Sequence, residues 1–258
     1  MLLVGLDCAT QPQNTGLARA TLEEGRVRVL EARIGRTAEG IVDTLVGWLS
    51  ESPRAVFALD APLGWPLPMG ALLAAHQAGG PLAPEASGPG QTPADQMFNR
   101  ETDRIVRRML GKKPLEVGAD RIARTALTAL ATLEAVGHRV EVEMGWTPGA
   151  VASGEAPSRH VLEVYPAATL LARGLPTRGY KASEAHDLRA RLVDALDADL
   201  EPEPRAAAIA TDHGLDAVLC CLAAADYARG DVLTPEAAGV SDERARREGW
   251  IWFEPPGP

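Results

Sequence analysis

LLVGLD at residues 2–7 and AVFALD at residues 55–60 are short apolar runs that each end on an aspartate. Continuous apolar runs of this length are typical of strands that are buried on both faces of a sheet. An ionised carboxylate beside so much apolar surface is costly unless it is paired or bound to a cation. The two runs therefore predict neighbouring core strands that bring Asp7 and Asp60 together.

The surrounding sequence alternates extended and helical patterns. Five strands are predicted, at residues 2–8, 15–22, 26–34, 54–60 and 159–164. Thr37 is placed to cap a helix that runs to residue 49, and an apolar helix at residues 212–229 closes the order. This is the element order of the ribonuclease H-like fold. We expect one α/β domain over residues 1–258, with a mixed five-stranded sheet flanked by helices and a mostly helical insertion at residues 64–150.

Composition excludes several classes of protein. The chain has 258 residues, of which 46% are hydrophobic, so it can bury a large core and is not globally disordered. No apolar run approaches the ~18 residues of a membrane helix, and MLLVGLD carries no basic leader. We therefore expect no membrane partner and a cytoplasmic location. The three cysteines lack zinc-ligand spacing.

Charge is segregated along the chain. The formal net charge of −9 argues against an extended nucleic-acid surface, because such surfaces are usually basic. Between residues 99 and 113, however, basic side chains outnumber acidic ones. A local basic patch on an acidic protein is therefore expected there.

Four acids lie in apolar surroundings where a charge is expensive. Asp7 and Asp60 end strands, Glu163 lies within VLEVY at residues 161–165, and Asp216 lies on a helix that is apolar almost all round. Singly, such acids are usually strand-end residues that cap turns. Four together favour a site for Mg²⁺ or Mn²⁺, which prefer oxygen ligands. Two such ions about 3.5–4 Å apart can promote phosphodiester hydrolysis, so we predict these four residues as metal ligands and catalytic residues.

Five motifs resemble, in order, those of a known family: GLD (5–7), DAPLGWP (60–66), RETDR (100–104), EVYPA (163–167) and DHGLDA (212–217). The family is the uncharacterised one described as predicted RNase H-like nucleases, domain-of-unknown-function family 429. The resemblance spans nearly the whole chain. It implies a ribonuclease H-like fold, a metal-dependent nuclease activity and a nucleic-acid partner. It also matches Asp7, Asp60, Glu163 and Asp216 to the acidic positions of such a site.

Basic residues of the RETDR motif are candidates for binding phosphate. A helix is predicted over residues 96–110, and four arginines share one of its faces by their spacing: Arg100, Arg104, Arg107 and Arg108. Arginine suits phosphate because its guanidinium offers two parallel hydrogen bonds. The alternative is a solvated face on which nearby acids are ion-pair partners.

Three further residues are candidates for supporting roles. Lys181 can neutralise a phosphate, although an exposed lysine before a helix is commonplace. Asp103 can orient one of the arginines. His213 lies three residues before Asp216, where it either shuttles protons or caps the helix together with Asp212.

Two other functions fit parts of the sequence. An actin-like or sugar-kinase-like ATPase shares the opening strand, acid and hairpin, but it needs a late glycine-rich motif that we do not find. A non-catalytic module that binds nucleic acid or metal would keep the acids and cleave nothing. The nuclease interpretation accounts for more of the motifs than either.

Overall fold

The computed structural model describes residues 1–81, 92–118, 120–154 and 158–256. These residues form an α/β fold around a mixed seven-stranded sheet in the order β5-β6-β4-β1-β2-β3-β7. The strands are β1 (Leu2–Asp7), β2 (Gly16–Glu23), β3 (Arg26–Ile34), β4 (Arg54–Asp60), β5 (Glu143–Met144), β6 (Ser158–Glu163) and β7 (Asp199–Leu200).

Only β2 runs opposite to the other strands of the sheet. β1, β2 and β3 form an antiparallel meander, whereas β4 and β6 run parallel to β1 on its other side. The five predicted strands correspond to these five. The sheet exceeds the expected five because two-residue strands extend its edges, β5 beside β6 and β7 beside β3. The sequence also indicates a short strand at residues 138–144, of which only β5 forms, whereas β7 is too short to show hydrophobic periodicity.

Helices flank the sheet. Within the described residues they are α1 (Ala38–Ser50), α2 (Leu67–Ala75), α3 (Pro93–Phe98), α4 (Glu101–Leu110), α5 (Asp120–Gly137), α6 (Ala150–Ser153), α7 (Pro166–Ala172), α8 (His186–Asp194), α9 (Pro202–Ala210), α10 (Asp212–Arg229) and α11 (Asp242–Glu248). The described part of the chain between β4 and β6 is mostly helical. None of the helices described is long and apolar enough to cross a membrane.

Two apolar cores lie on opposite faces of the sheet. Successive strand side chains point to opposite faces, so Leu3 packs into the core that contains α10, whereas Val4 and Leu6 pack into the core that contains α1 and part of α5. α10 is buried on nearly every side and packs against β1, β2 and β4. It is the central helix of its face.

The predicted helix over residues 96–110 is two helices. α3 ends at Phe98, α4 begins at Glu101, and Arg100 between them has an extended backbone with φ −76° and ψ 166°. The backbone N–H of Arg100 donates to Asp103 Oδ2 at 2.9 Å, which caps the new helix. The break directs the Arg100 side chain into the protein. Helical periodicity carries no signal for such a break.

Candidate metal centre

Three of the four predicted acids converge at one end of the sheet. Asp7 ends β1, Asp60 ends β4, and Asp216 lies in the second turn of α10. One carboxylate oxygen from each lies within 4.8 Å of the other two. Asp7 and Asp216 are buried, and Asp60 is partly exposed, so the cluster opens to solvent beside Asp60. We call these three residues the acidic triad.

Strand register explains why two of these carboxylates meet. Asp7 and Asp60 are direct partners in the parallel pairing of β1 with β4. Paired residues of neighbouring strands point to the same face of the sheet. Ala58, two residues before Asp60, packs into the core around α10, so that face is the one that α10 covers.

Two glycines bring the third carboxylate into range. A Cβ atom on Gly5 would lie 2.1 Å from the carbonyl oxygen of Ala217, and one on Gly16 would lie 2.0 Å from that of His213. No side chain fits at either position. The first turns of α10 can therefore lie directly on β1 and β2, which places Asp216 beside Asp7.

Hydrogen bonds orient two members of the triad. His213 Nδ1 lies 2.6 Å from Asp7 Oδ2. Asp216 accepts from the Tyr180 hydroxyl at 2.8 Å and from Lys181 Nζ at 2.7 Å, one on each oxygen. No hydrogen bond to the Asp60 carboxylate is found in the part of the chain that the structure describes.

His213 is therefore a partner of the triad and does not cap α10. The cap is Thr211, whose hydroxyl accepts from the backbone N–H of Gly214 at 3.0 Å. Because Nδ1 faces Asp7, the His213 Nε2 atom is left for another partner.

Burial and mutual repulsion make the triad hard to ionise. Burial raises the pKa of Asp7 to about 7, with the charge of Asp216 adding to the effect and the bond to His213 opposing it. Burial, followed by the charge of Asp7, raises the pKa of Asp60 well above its usual range. Burial also raises the pKa of Asp216, although Lys181 opposes it. The hydrogen bond to Asp7 raises the pKa of His213.

The triad fits a divalent cation. Two oxygens on opposite sides of an ion bound at about 2.0–2.6 Å lie about 4–5 Å apart, and one oxygen of each acid lies within 4.8 Å of the other two, which is close enough to share an ion. All three donors are carboxylates, which hard cations such as Mg²⁺ and Mn²⁺ prefer. Asp60 has both oxygens free of hydrogen-bond donors from the described residues. The group can therefore hold a metal ion.

Glu163, the fourth predicted acid, lies outside the triad. In the pairing of β4 with β6, Glu163 lies opposite Leu59, one residue before Asp60. Its side chain therefore points to the same face as Leu59, opposite to the face on which the triad lies. Its carboxylate binds Arg100 through both oxygens, at 2.8 and 2.6 Å, and accepts from the backbone N–H of Leu63 at 2.9 Å. This corrects the expected four-acid cluster to three acids among the described residues.

Arg100 is likewise displaced from its predicted role. Its side chain is 1% exposed and is shared between Glu163 and Asp103, so it does not lie on a solvent-facing surface with Arg107. Asp103 does orient an arginine, as predicted, and that arginine is Arg100. Asp103 Oδ1 accepts a hydrogen bond from Arg100 Nη2 at 2.9 Å.

Arg104 also has protein partners. Its guanidinium donates to Glu101 Oε2 and to the backbone carbonyl of Asp95, each at 3.0 Å. Unlike Arg100 it keeps some solvent exposure. Arg107, on the same helix, is exposed.

Three residues that support the site were not predicted. Tyr180 binds Asp216, buried Arg189 binds the backbone around Tyr180, and buried Glu248 accepts from the backbone N–H groups of Leu67 and Glu101. Tyr180 and Glu248 lie far in sequence from the groups that they bind, whereas Arg189 lies nine residues from Tyr180. The only available signal was the position of Tyr180 beside Lys181.

Comparison with known families matches residues 5–239 to the family described as "Protein of unknown function (DUF429)". The match covers most of the chain, so the protein belongs to this family. Searches of curated proteins and of solved structures find no match.

Proposed function

We propose that the protein is a metal-dependent nuclease with a ribonuclease H-like fold. The observation that carries the proposal is the acidic triad, which places three carboxylates on β1, β4 and α10 within 4.8 Å. The order of the main elements, an antiparallel meander, a helix, a parallel strand, an insertion, a further parallel strand and a closing helix, supports the fold assignment.

The proposed cation is Mg²⁺ or Mn²⁺, held by Asp7, Asp60 and Asp216. When bound, such ions activate water and stabilise the charge that develops on a phosphodiester, and a pair of ions can do both. In the two-ion form of the proposal, Asp7 would be the shared ligand, because its strand β1 pairs with β4, which carries Asp60, and packs against α10, which carries Asp216. Glu163 is not a ligand in this proposal because Arg100 already binds it.

The chain's own groups have separate tasks around the triad. Asp7 holds His213 by Nδ1, which leaves Nε2 able to carry a proton to or from the reacting group. Lys181 reaches the triad with a side chain that is 58% exposed, so it can also meet a phosphate. Partly exposed Arg104 and exposed Arg107 remain candidates for phosphate contacts beyond the triad.

The proposal is tested by a cleavage screen on single-stranded, duplex, hybrid and branched nucleic acids, with Mg²⁺ or Mn²⁺. The proteins compared are the wild type, Asp60→Asn and the matched control Asp43→Asn, which changes an exposed aspartate on α1. We expect metal-dependent cleavage by the wild type and the control. Loss of a metal ligand should lower the rate by about 10³-fold or more.

Two results would contradict the proposal. One is cleavage that survives both EDTA and Asp60→Asn. The other is hydrolysis of ATP, with no cleavage of any nucleic acid, which would favour the actin-like or sugar-kinase-like alternative.

A further inference from the structure

The acidic triad already contacts a positive charge from the chain itself. Lys181 Nζ donates to Asp216 Oδ2 at 2.7 Å, and the preceding residue, Tyr180, donates its hydroxyl to Oδ1 at 2.8 Å. Asp216 is fully buried. Both of its oxygens are therefore occupied by consecutive residues of the segment between α7 and α8. A cation that binds at Oδ2 must compete with the ammonium group.

The backbone of this segment is fixed by Arg189. Its buried guanidinium donates to the carbonyl oxygens of Tyr180 at 2.7 Å and Ala182 at 2.8 Å, on either side of Lys181. It also donates to the carbonyl oxygens of Ile209 at 2.7 Å and Ala210 at 3.1 Å, just before α10. The backbone that carries Lys181 is thereby tied to the start of the helix that carries Asp216.

The Lys181 side chain, in contrast, is free on its outer side. It is 58% exposed, although the carboxylate that it binds is fully buried. Only three of the 26 basic residues are lysines, and the other two are Lys112 and Lys113. An arginine at position 181 could bind the carboxylate through two parallel hydrogen bonds, whereas lysine offers a compact charge on a flexible stem. A lysine at position 181 is therefore displaced from the Asp216 carboxylate more easily than an arginine would be.

The charges around the triad explain why it needs a cation. They also explain why the Lys181 ammonium and a divalent ion cannot both bind Asp216 Oδ2. Three carboxylates crowd together, and the charge of Lys181 lowers the pKa of each against the opposing effect of burial. A dication at Asp216 would repel an ammonium group bound to the same oxygen. The ammonium and the dication are therefore alternative partners of Oδ2.

We propose that Lys181 is a displaceable internal cation: its ammonium group neutralises the triad in the metal-free protein, and a divalent ion entering the triad displaces it from Asp216 toward solvent. This rests on the metal site of the proposed function. Once displaced, the ammonium lies on the solvent-exposed side of the triad, where a substrate phosphate would be its new partner. Metal loading and phosphate binding are thereby linked through one side chain.

Mn²⁺ affinity tests this directly. Dissociation constants are measured by electron paramagnetic resonance of free Mn²⁺ for the wild type, Lys181→Met, Lys181→Arg and the control Lys113→Met, a surface lysine paired with Glu116. Removing the competing charge should tighten Mn²⁺ binding to Lys181→Met by about tenfold. The control Lys113→Met should stay within about twofold of the wild type, whereas Lys181→Arg, whose guanidinium is harder to displace, should bind Mn²⁺ more weakly than the wild type.

The possible results separate the two proposals. Equal or weaker binding by Lys181→Met, beside clear binding by the wild type, would overturn the displacement proposal alone. If neither protein bound Mn²⁺, the displacement proposal and the proposed function would both be overturned.

A second measurement follows the side chain itself. With lysine labelled by ¹³C at Cε, the chain has only three such positions, and substitutions assign them. Addition of diamagnetic Mg²⁺ should move the Lys181 signal and leave those of Lys112 and Lys113 in place. A Lys181 signal that stays fixed while the site fills with Mg²⁺ would contradict displacement.

Discussion

At the scale of single residues, Asp60 is the member of the triad with no hydrogen-bond donor among the described residues. Its pKa lies well above the usual range because of burial and the neighbouring charge of Asp7. A carboxylate held under such conditions is unfavourable for folding and useful for binding a cation.

Asp60→Asn should therefore stabilise the metal-free protein by about 0.5–2 kcal/mol, the range typical of a substitution that removes an unfavourable charge. The same change should abolish the rise in unfolding temperature that Mn²⁺ gives the wild type. Thermal unfolding with and without Mn²⁺ measures both effects. Asp43→Asn breaks only an exposed ion pair with Arg139, so it should keep the Mn²⁺ effect and lower the metal-free stability by at most about 1 kcal/mol. A less stable metal-free Asp60→Asn would contradict this account of the triad.

At the scale of elements, the approach of α10 to the sheet decides the geometry of the site. Gly5→Ala would place a Cβ atom 2.1 Å from the carbonyl oxygen of Ala217, so α10 must shift. We expect a loss of several kcal/mol, as for overpacking or backbone strain in a core, and weaker Mn²⁺ binding. Gly47→Ala on α1 is the control, since a Cβ there meets nothing within 4 Å. The control should be neutral or stabilising by up to about 1 kcal/mol. Unchanged stability of Gly5→Ala would contradict the role given to this contact.

The pair between Arg100 and Glu163 joins α4 to β6. Both side chains are buried, so removing one partner leaves a charge without full compensation. Glu163→Ala should destabilise the protein by about 3–5 kcal/mol. In chemical denaturation, the double change Arg100→Met with Glu163→Leu should also destabilise the protein, because it leaves buried Asp103 without its partner Arg100. Mn²⁺ affinity should change by less than about threefold in the double variant. A complete loss of Mn²⁺ binding there would return Glu163 to the ligand set.

Strands and helices could be predicted from the sequence where their hydrophobic pattern was long. Contacts between side chains that are distant in sequence could not be predicted. The five main strands and α10 follow from apolar runs and turn residues, and so do the positions of Asp7, Asp60 and Asp216 at one end of the sheet. Glu163 also ends an apolar strand, as Asp7 and Asp60 do. It pairs with Leu59, one residue before Asp60, so its side chain points to the face of the sheet opposite the triad. Register is a property of the paired strands, so a single strand's sequence does not reveal it. The partner of Arg100 was hidden for the same reason, since Glu163 is 63 residues away.

At the scale of the whole molecule, the triad makes stability depend on pH. The folded state raises the pKa of Asp7 from 3.8 to about 7, so between these values it retains a proton that the unfolded chain has lost. This contribution to stability is present at low pH and is lost as the pH rises through about 7. His213, whose pKa is also raised, loses its contribution in the same direction above its ordinary value of 6.5.

The unfolding temperature of the metal-free protein should therefore fall as the pH rises from about 5 to about 8. Mn²⁺ should restore more stability at pH 8 than at pH 6, because metal ligands must be deprotonated to bind. Asp7→Asn should flatten the pH dependence. Calorimetry across this pH range provides the measurement, and metal-free stability that increases with pH would contradict the raised pKa of Asp7.

Anomalous diffraction from a crystal soaked in Mn²⁺ would show whether the acidic triad is a divalent cation site. We expect an anomalous peak within bonding distance of Asp7, Asp60 and Asp216, absent from a crystal of Asp60→Asn treated in the same way. Well-occupied Mn²⁺ elsewhere on the protein, with no peak at the triad, would contradict it.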